Sequence, residues 1–301
     1  MITPLQELYD PLLASKQVQV FMKRDDLLHP QVSGNKWRKL KYNLKKAKVK
    51  GNQTLLTFGG AYSNHIFAVA AAGKEFRYKT IGIIRGEKPD PLNETLSFAI
   101  ACGMQLDFIS RTSYGEKEEP HFIKSLHEQF GDFYLLPEGG TNGLAVKGCE
   151  EIIAEIEVDY NYLCCSCGTG GTLSGLIAGD QGTHKLLGFS ALRGLRDLEG
   201  KIEELVTGYS NHQFSNWSIN HDYHFGGYAK VNALLFSFIR EFYLTQNILL
   251  DPVYTGKMMF GIYDLVRNNF FMKGSVIIAI HTGGLQGWNG MNDELPKTTL
   301  K

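Results

Sequence analysis

The stretch that decides the fold is "YNYLCCSCGTGGTLSGLIAG", residues 160–179. Its first half, "YNYLCCSCG", is a short apolar run that reads as a strand buried on both faces, and "TLSGLIAG" reads as a helix packed closely behind it. Between them lie Gly168, Thr169, Gly170, Gly171 and Thr172. Small residues with open backbone N–H groups at a helix start form a cup for a phosphate, and threonine hydroxyls add donors. The cup lacks the lysine of a Walker loop and the glycine spacing of a dinucleotide fingerprint, so it suits a phosphate that is held and not transferred. A tight turn with close helix packing accounts for the same glycines without a ligand.

Working outward, the strand–turn–helix pattern recurs. "QTLLTFGG", "KTIGIIRG", "QLDFIS", "DFYLLPEGG" and "GSVIIAIHTGG" read as strands, and "HIFAVAAAGKEF", "NETLSFAIACG", "HFIKSLHEQFG" and "LAVKGCEEIIAEI" as helices. Apolar strands alternating with helices imply an α/β fold with two open, mostly parallel twisted sheets covered by helices. The expected division is a large lobe built from 1–45 and 147–301 and a small lobe from 46–146.

The 301 residues, 43% of them hydrophobic, suffice for a large core. Lys plus Arg equals Asp plus Glu at 31 each, which argues against a nucleic-acid partner or an anionic membrane surface. No signal-peptide pattern opens the sequence and no apolar run approaches a membrane span, so a cytoplasmic protein is expected. Three of the five cysteines are bunched in the strand "YLCCSC", which fits reduced thiols. Cys164 and Cys167 form a C-x-x-C without a second pair, and His221 and His224 lie in an apparent loop, so no metal site is expected.

The stretch "VSGNKWRKLKYNL", 32–44, holds three lysines, Lys36, Lys39 and Lys41. Trp37, Leu40, Leu44 and Ala47 recur at helical spacing, and Lys41, Lys45 and Lys48 lie mainly off that face as a solvated flank. Lys36 falls in the first helical turn, where the macrodipole favours a neutral amine, and a lysine with a lowered pKa suits a Schiff base to an aldehyde cofactor. Substitution of Lys39 or Lys45 is expected to matter little. In "FGGAYSNH", 58–65, Ser63, Asn64 and His65 open a helix after a glycine-marked strand end, and their N–H groups suit a carboxylate or a phosphate. A plain N-cap explains Ser63 or Asn64 equally well. Thr282 stands at another strand end beside two glycines.

In order, "KRDDL…SGNKWRKL", "GGAYSNH", "CGTGGT", "GYAK", "LDPVYTGK" and "HTGG" resemble the fold-type II pyridoxal-phosphate enzymes, whose fold is like that of the tryptophan synthase β chain. The match is to the D-cysteine desulfhydrase and 1-aminocyclopropane-1-carboxylate deaminase family. The resemblance implies pyridoxal 5′-phosphate as cofactor, a small amino acid as substrate and a homodimer. It implies Lys36 as the Schiff-base lysine, Asn64 on the cofactor's phenolic oxygen, Ser63 and His65 by the substrate, and Thr282 by the cofactor. Tyr228 and Tyr254 match two tyrosines that approach the substrate. Without the resemblance they read as core residues with a bonded hydroxyl.

Thr255 and Thr282 match the desulfhydrases, where aminocyclopropane deaminases carry glutamate and leucine. Two hydroxyls satisfy a neutral pyridine nitrogen, so catalysis leans on a good β-leaving group. The implied reaction is loss of the α-proton and of the β-substituent from D-cysteine or a similar D-amino acid, giving pyruvate and ammonia. The alternatives are aminocyclopropane-carboxylate deamination, a catalytically diverged cofactor-binding protein and a nucleotide-binding α/β protein. Tyr62 replaces the usual glutamine before "SNH", and its phenol is expected to reshape the carboxylate pocket.

Overall fold

The cysteine-rich run forms a strand buried along its whole length at the centre of the larger of two sheets. The structure, a computed structural model, describes residues 2–194 and 197–288. Its strands are β1 (Leu5–Leu8), β2 (Gln19–Lys23), β3 (Thr54–Gly60), β4 (Lys79–Arg85), β5 (Met104–Ile109), β6 (Tyr134–Leu136), β7 (Tyr162–Cys167), β8 (Lys185–Ser190), β9 (Trp217–Asn220) and β10 (Val276–Ile280). Its helices are α1 (Pro11–Lys16), α2 (Asn35–Val49), α3 (Asn64–Phe76), α4 (Glu94–Ala101), α5 (Arg111–Gly115), α6 (Pro120–Phe130), α7 (Gly143–Glu150), α8 (Gly171–Asp180), α9 (Leu198–Ser210), α10 (Ala233–Gln246) and α11 (Thr255–Arg267).

The large sheet runs β1-β2-β10-β7-β8-β9 and the small one β5-β4-β3-β6. All described pairings are parallel except β1 with β2. Successive strand residues face opposite sides, and both sides of β7 are apolar because both are covered. Tyr162 and Cys164 pack with Ile239 of α10 and Ile262 of α11, whereas Leu163, Cys165 and Cys167 pack with Leu176 of α8 and Ile202 of α9. Cys164 and Cys167 therefore point to opposite faces, and their C-x-x-C spacing cannot close on one metal. The small sheet is likewise covered, by α2, α3 and α4 on one face and by α5 and α6 on the other.

Two expectations are corrected. The helix expected through Ile156 stops at Glu150 and gives way to a 3₁₀ turn, Ile153–Glu155. The reason is electrostatic: the turn swings Glu155 onto Arg38 and Lys23. The Lys41 ammonium is not simply solvated but pairs with Glu151.

Helix α2 is tied to the large sheet by a buried ionic network. Arg38 Nε donates to Asp25 Oδ2 at 2.8 Å and its Nη1 to Glu155 Oε1 at 2.6 Å, while Lys23 Nζ meets Glu155 Oε2 at 2.7 Å. Thr3 Oγ1 donates to Asp25 Oδ1 at 2.7 Å, satisfying that carboxylate further. The Glu155 carboxyl loses solvation, but hydrogen bonds from Arg38 and Lys23 hold it down at about 2. Its stabilisation is thus complete above the ordinary value of 4.5 and is lost as pH falls through about 2. Arg38→Met should lower the unfolding free energy by about 3–5 kcal/mol, because it leaves the buried Asp25 carboxylate without a cation and Glu155 with Lys23 alone. Denaturant titration checks this, and the variant should also show a weaker dependence of stability on pH in the acid range.

Candidate functional site

A cavity of about 180 Å³ opens where the carboxyl ends of both sheets meet. It gathers Lys36, Ser63, Asn64, His65, the 168–170 loop with Thr172, Tyr228, Tyr254 and Thr282. Ligands of open α/β sheets collect at this edge.

Lys36 stands one residue into α2, whose start is stitched to the loop after β10. Asn35 N–H donates to the Thr282 carbonyl at 3.3 Å. Gly34 makes this approach feasible: its φ is +61°, and a Cβ there would fall 2.0 Å from the Thr282 carbonyl oxygen. Burial in the cavity wall, reinforced by the charge of Lys39, lowers the Lys36 amine to about 7. A lysine poised there is a nucleophile at neutral pH, where an ordinary one is almost wholly protonated.

Lys39 corrects the sequence reading. It is 2% exposed, and its ammonium lies in the same cavity, donating to the Gly139 carbonyl at 3.1 Å and to Thr141 Oγ1 at 3.2 Å. A Cβ on Gly171 would sit 3.0 Å from that ammonium, so the missing side chain opens a recess between the cation and the first turn of α8. The first N–H groups of a helix have no intrahelical acceptor. Gly170 has φ +81° and Thr172 Oγ1 accepts from Asn35 Nδ2 at 2.9 Å, tying the loop to α2. Thr169 Oγ1 lies 2.6 Å from Thr141 Oγ1. Open N–H groups, hydroxyls and a buried cation in one recess suit a phosphate.

The "SNH" turn combines both readings offered for it. Ser63 is the N-cap of α3, its Oγ accepting from His65 N–H at 3.2 Å and Ile66 N–H at 3.3 Å. Its own N–H donates to the Gly60 carbonyl at 3.0 Å. The expectation of three open N–H groups is therefore corrected, because Ser63 and His65 spend theirs within the turn. The Ser63 hydroxyl still has its proton to donate. His65 is buried, with Nε2 2.9 Å from Thr57 Oγ1. Thr57 gives its own proton to the Leu136 carbonyl, so Nε2 carries the imidazole hydrogen and Nδ1 is a bare acceptor without a partner among the described residues. Burial, with Lys36 and Lys39 nearby, pushes its pKa well down, so the ring is neutral.

Tyr228 and Tyr254 meet edge to face with ring centroids 6.3 Å apart. Tyr228 Oη donates to the Tyr62 carbonyl at 3.1 Å, bridging the large-sheet side of the cavity to the turn after β3. Burial pushes the Tyr228 phenol up to about 12 and the Tyr254 phenol well above its ordinary value. Both are proton donors at neutral pH. Tyr62 itself is 51% exposed and does not line the cavity, so the reshaped pocket expected from its phenol is corrected: its backbone takes part and its ring does not.

The two threonines separate. Thr282 lines the cavity with its hydroxyl 3.3 Å from Ser166 Oγ. Thr255 is 0% exposed, does not line the cavity, and donates to Asp251 Oδ2 at 2.6 Å. Its place at the cofactor ring is corrected. The hydroxyl opens α11 by binding an aspartate that also accepts from the N–H groups of Val253, Tyr254 and Thr255. Among the other lining residues missed from the sequence are the polar side chains of Arg85, Glu138 and Ser166. Each stands at or just beyond the carboxyl end of a strand, and that position is the signal that finds them. For Lys39 the signal is helical: three residues after Lys36, it shares its face.

The model of the family described as pyridoxal-phosphate dependent enzyme matches residues 2–283. A relative from Pyrococcus horikoshii, named putative 1-aminocyclopropane-1-carboxylate deaminase, is 30% identical, covering 97% of this chain and 92% of its own. The Arabidopsis thaliana protein named bifunctional D-cysteine desulfhydrase/1-aminocyclopropane-1-carboxylate deaminase, mitochondrial, is 29% identical over 92% of this chain and 75% of its own. A crystal structure described as an ACC deaminase homologue superposes with a TM-score of 0.87 at 28% identity, covering 98% of this chain and 93% of the other. With a buried lysine of lowered basicity in its cavity, and the family match along almost its whole length, this chain belongs to the pyridoxal-phosphate dependent enzymes.

Proposed function

We propose that the protein is a lyase that eliminates the β-substituent of D-cysteine or a related small D-amino acid, releasing the leaving group and an enamine that water hydrolyses to pyruvate and ammonia. The observation that carries the proposal is the pairing of Lys36, an amine lowered to about 7, with a recess lined by Lys39 and the start of α8. Pyridoxal phosphate supplies, when bound, an aldehyde for amines and an electron-withdrawing ring for charge left on the substrate. Lys36 would hold the aldehyde carbon, Lys39, Gly168, Thr169, Gly170, Gly171 and Thr172 would hold the phosphate, and Asn64 and Thr282 would hold the ring.

The chain's own groups divide the remaining work. The Ser63 hydroxyl and the Asn64 N–H orient the substrate carboxylate beside the neutral His65. The neutral form of the Lys36 amine, which burial favours, would take the proton from the substrate Cα. Tyr228 and Tyr254, protonated phenols, face the departing β-substituent, and one of them gives it a proton; Tyr228 does so by turning its hydroxyl away from the Tyr62 carbonyl. The carboxylate among the lining residues, Glu138, is engaged by Tyr114 Oη at 2.8 Å, and Asp251 is enclosed by four donors. The polar groups at Thr282 are then hydroxyls, which leave the ring nitrogen uncharged and favour a substrate whose β-group departs readily. The deaminases among the relatives favour a second reading, ring opening of aminocyclopropane carboxylate. We further propose a cytoplasmic homodimer and a division into lobes at 1–45 with 147–301 and 46–146. The lobes are supported by the two separate sheets, and the remainder by the family resemblance.

Capture of pyridoxal phosphate by the cofactor-free protein should quicken as pH rises through about 7, because only the neutral Lys36 amine attacks. Lys39→Ala removes the repelling charge, so this profile should move to higher pH while cofactor affinity falls about tenfold or more, as expected for a lost charge-assisted contact. Stopped-flow absorbance and equilibrium titration measure the two effects. Lys36→Ala should lower turnover by about a thousandfold or more. In a screen of D- and L-amino acids with β-leaving groups, scored by 2-oxo acid release, D-cysteine should give pyruvate with a higher kcat/KM than aminocyclopropane carboxylate gives 2-oxobutanoate. The reverse order would establish the second reading.

A further inference from the structure

Tyr228 reaches the cavity on a strap, residues 221–231, between β9 and α10. The strap is conformationally demanding: Phe225 and Ala229 both have φ 52° and Gly227 has φ 122°. Left-handed backbone at residues with a Cβ is unfavourable and persists only where the surroundings enforce it. One face of α11 provides the surroundings. Asp264 Oδ2 accepts from Tyr223 Oη at 2.9 Å, and the Phe260 ring packs edge to face on Phe225 at 5.0 Å. Nearest Tyr228, Lys257 Nζ donates to the Gly227 carbonyl at 2.8 Å and to the His224 carbonyl at 2.9 Å. Lys257, Phe260 and Asp264 are spaced three and four apart, which sets them on one stripe of the helix.

Lys257 is 2% exposed and has no carboxylate within ion-pair distance among the described residues. An ammonium buried against carbonyls alone is a poor way to fill space, since an apolar side chain of the same length would avoid its desolvation. What it adds is direction: two donors fix two carbonyls that flank the turn into Tyr228. The same helix begins with the residue after Tyr254, so α11 sets both phenols at once.

We propose that Lys257 is a positioning residue whose two carbonyl bonds hold the 221–231 strap closed over the cavity and thereby set Tyr228 against the substrate. The kinetic part rests on the function proposed for Tyr228. The positional part does not, and the test separates them. Hydrogen–deuterium exchange of the cofactor-loaded protein without substrate should be faster over 221–231 in Lys257→Met than in the wild type, and unchanged over α3 and α8. With D-cysteine, kcat/KM should fall about ten- to a hundredfold, as expected when a group touching substrate is misplaced. Adding Tyr228→Phe should cost nothing further, because the strap already carries that tyrosine out of place. If Lys257→Met does not fold, Gly227→Ala disturbs the same carbonyl from the strap side and should give the same pattern. Unchanged exchange over the strap, or losses that multiply in the double variant, would overturn the proposal. Wild-type turnover by Tyr228→Phe alone would instead withdraw Tyr228 from the proposed function, with the exchange result still deciding whether Lys257 holds the strap.

Discussion

The two lysines of the cavity are set by helix α2, and α2 is held against the large sheet by the Arg38 side chain. The guanidinium spans Asp25, just after β2, and Glu155, just after α7, while Lys36 lies two residues before it. Together with the Asn35 bond to Thr282, this leaves the first turn of α2 little freedom to rotate. A displaced α2 would move Lys36 and Lys39 together, since they lie on one face of one helix, and the recess at the start of α8 would lose its cation. The network is buried and its charges are well satisfied, so its contribution is to geometry more than to net stability.

The cavity is electrostatically unfinished in the protein alone. Two lysines lie in one enclosure, each lowered by burial, beside a histidine whose Nδ1 finds no partner among the described residues. Such an arrangement costs folding free energy unless an anion enters. A ligand carrying a phosphate for Lys39 and an aldehyde for Lys36, as in the proposed function, would offset that cost. Nearby, Asp251 is kept from interfering by the donors at the start of α11, where Thr255 has its structural role.

Much of this was legible in the sequence. The β7–turn–α8 unit stood out because its strand is buried on both faces and its turn is punctuated by glycine, and the order of the motifs led to Lys36, Asn64 and the two tyrosines. Four strands were not legible: β1 and β9, four-residue edge strands too short for a period to register, β2, five residues bounded by glutamine and lysine, and β8, where Gly188 interrupts the apolar run. Local patterning could not foresee that Glu155 would be drawn off a helix by Arg38, more than a hundred residues away. Thr255 was misplaced because a motif position records a neighbourhood, and which way a side chain turns depends on its competing partner, here Asp251. Lys39 was within reach, since helical spacing puts it on the face of Lys36, but its depth in the cavity depends on α7 and α8 closing over it.

The central claim is that Lys36, and not its buried neighbour three residues on, is the amine that carries the cofactor. Both lie in the cavity, but Lys39 is occupied by the Gly139 carbonyl and by Thr141, whereas no hydrogen bond to a protein group is described for the Lys36 amine. Borohydride reduction of the cofactor-loaded protein, followed by peptide mapping, tests this directly. The account predicts a single pyridoxyl group on Lys36; a label on Lys39 or on any other lysine would contradict it.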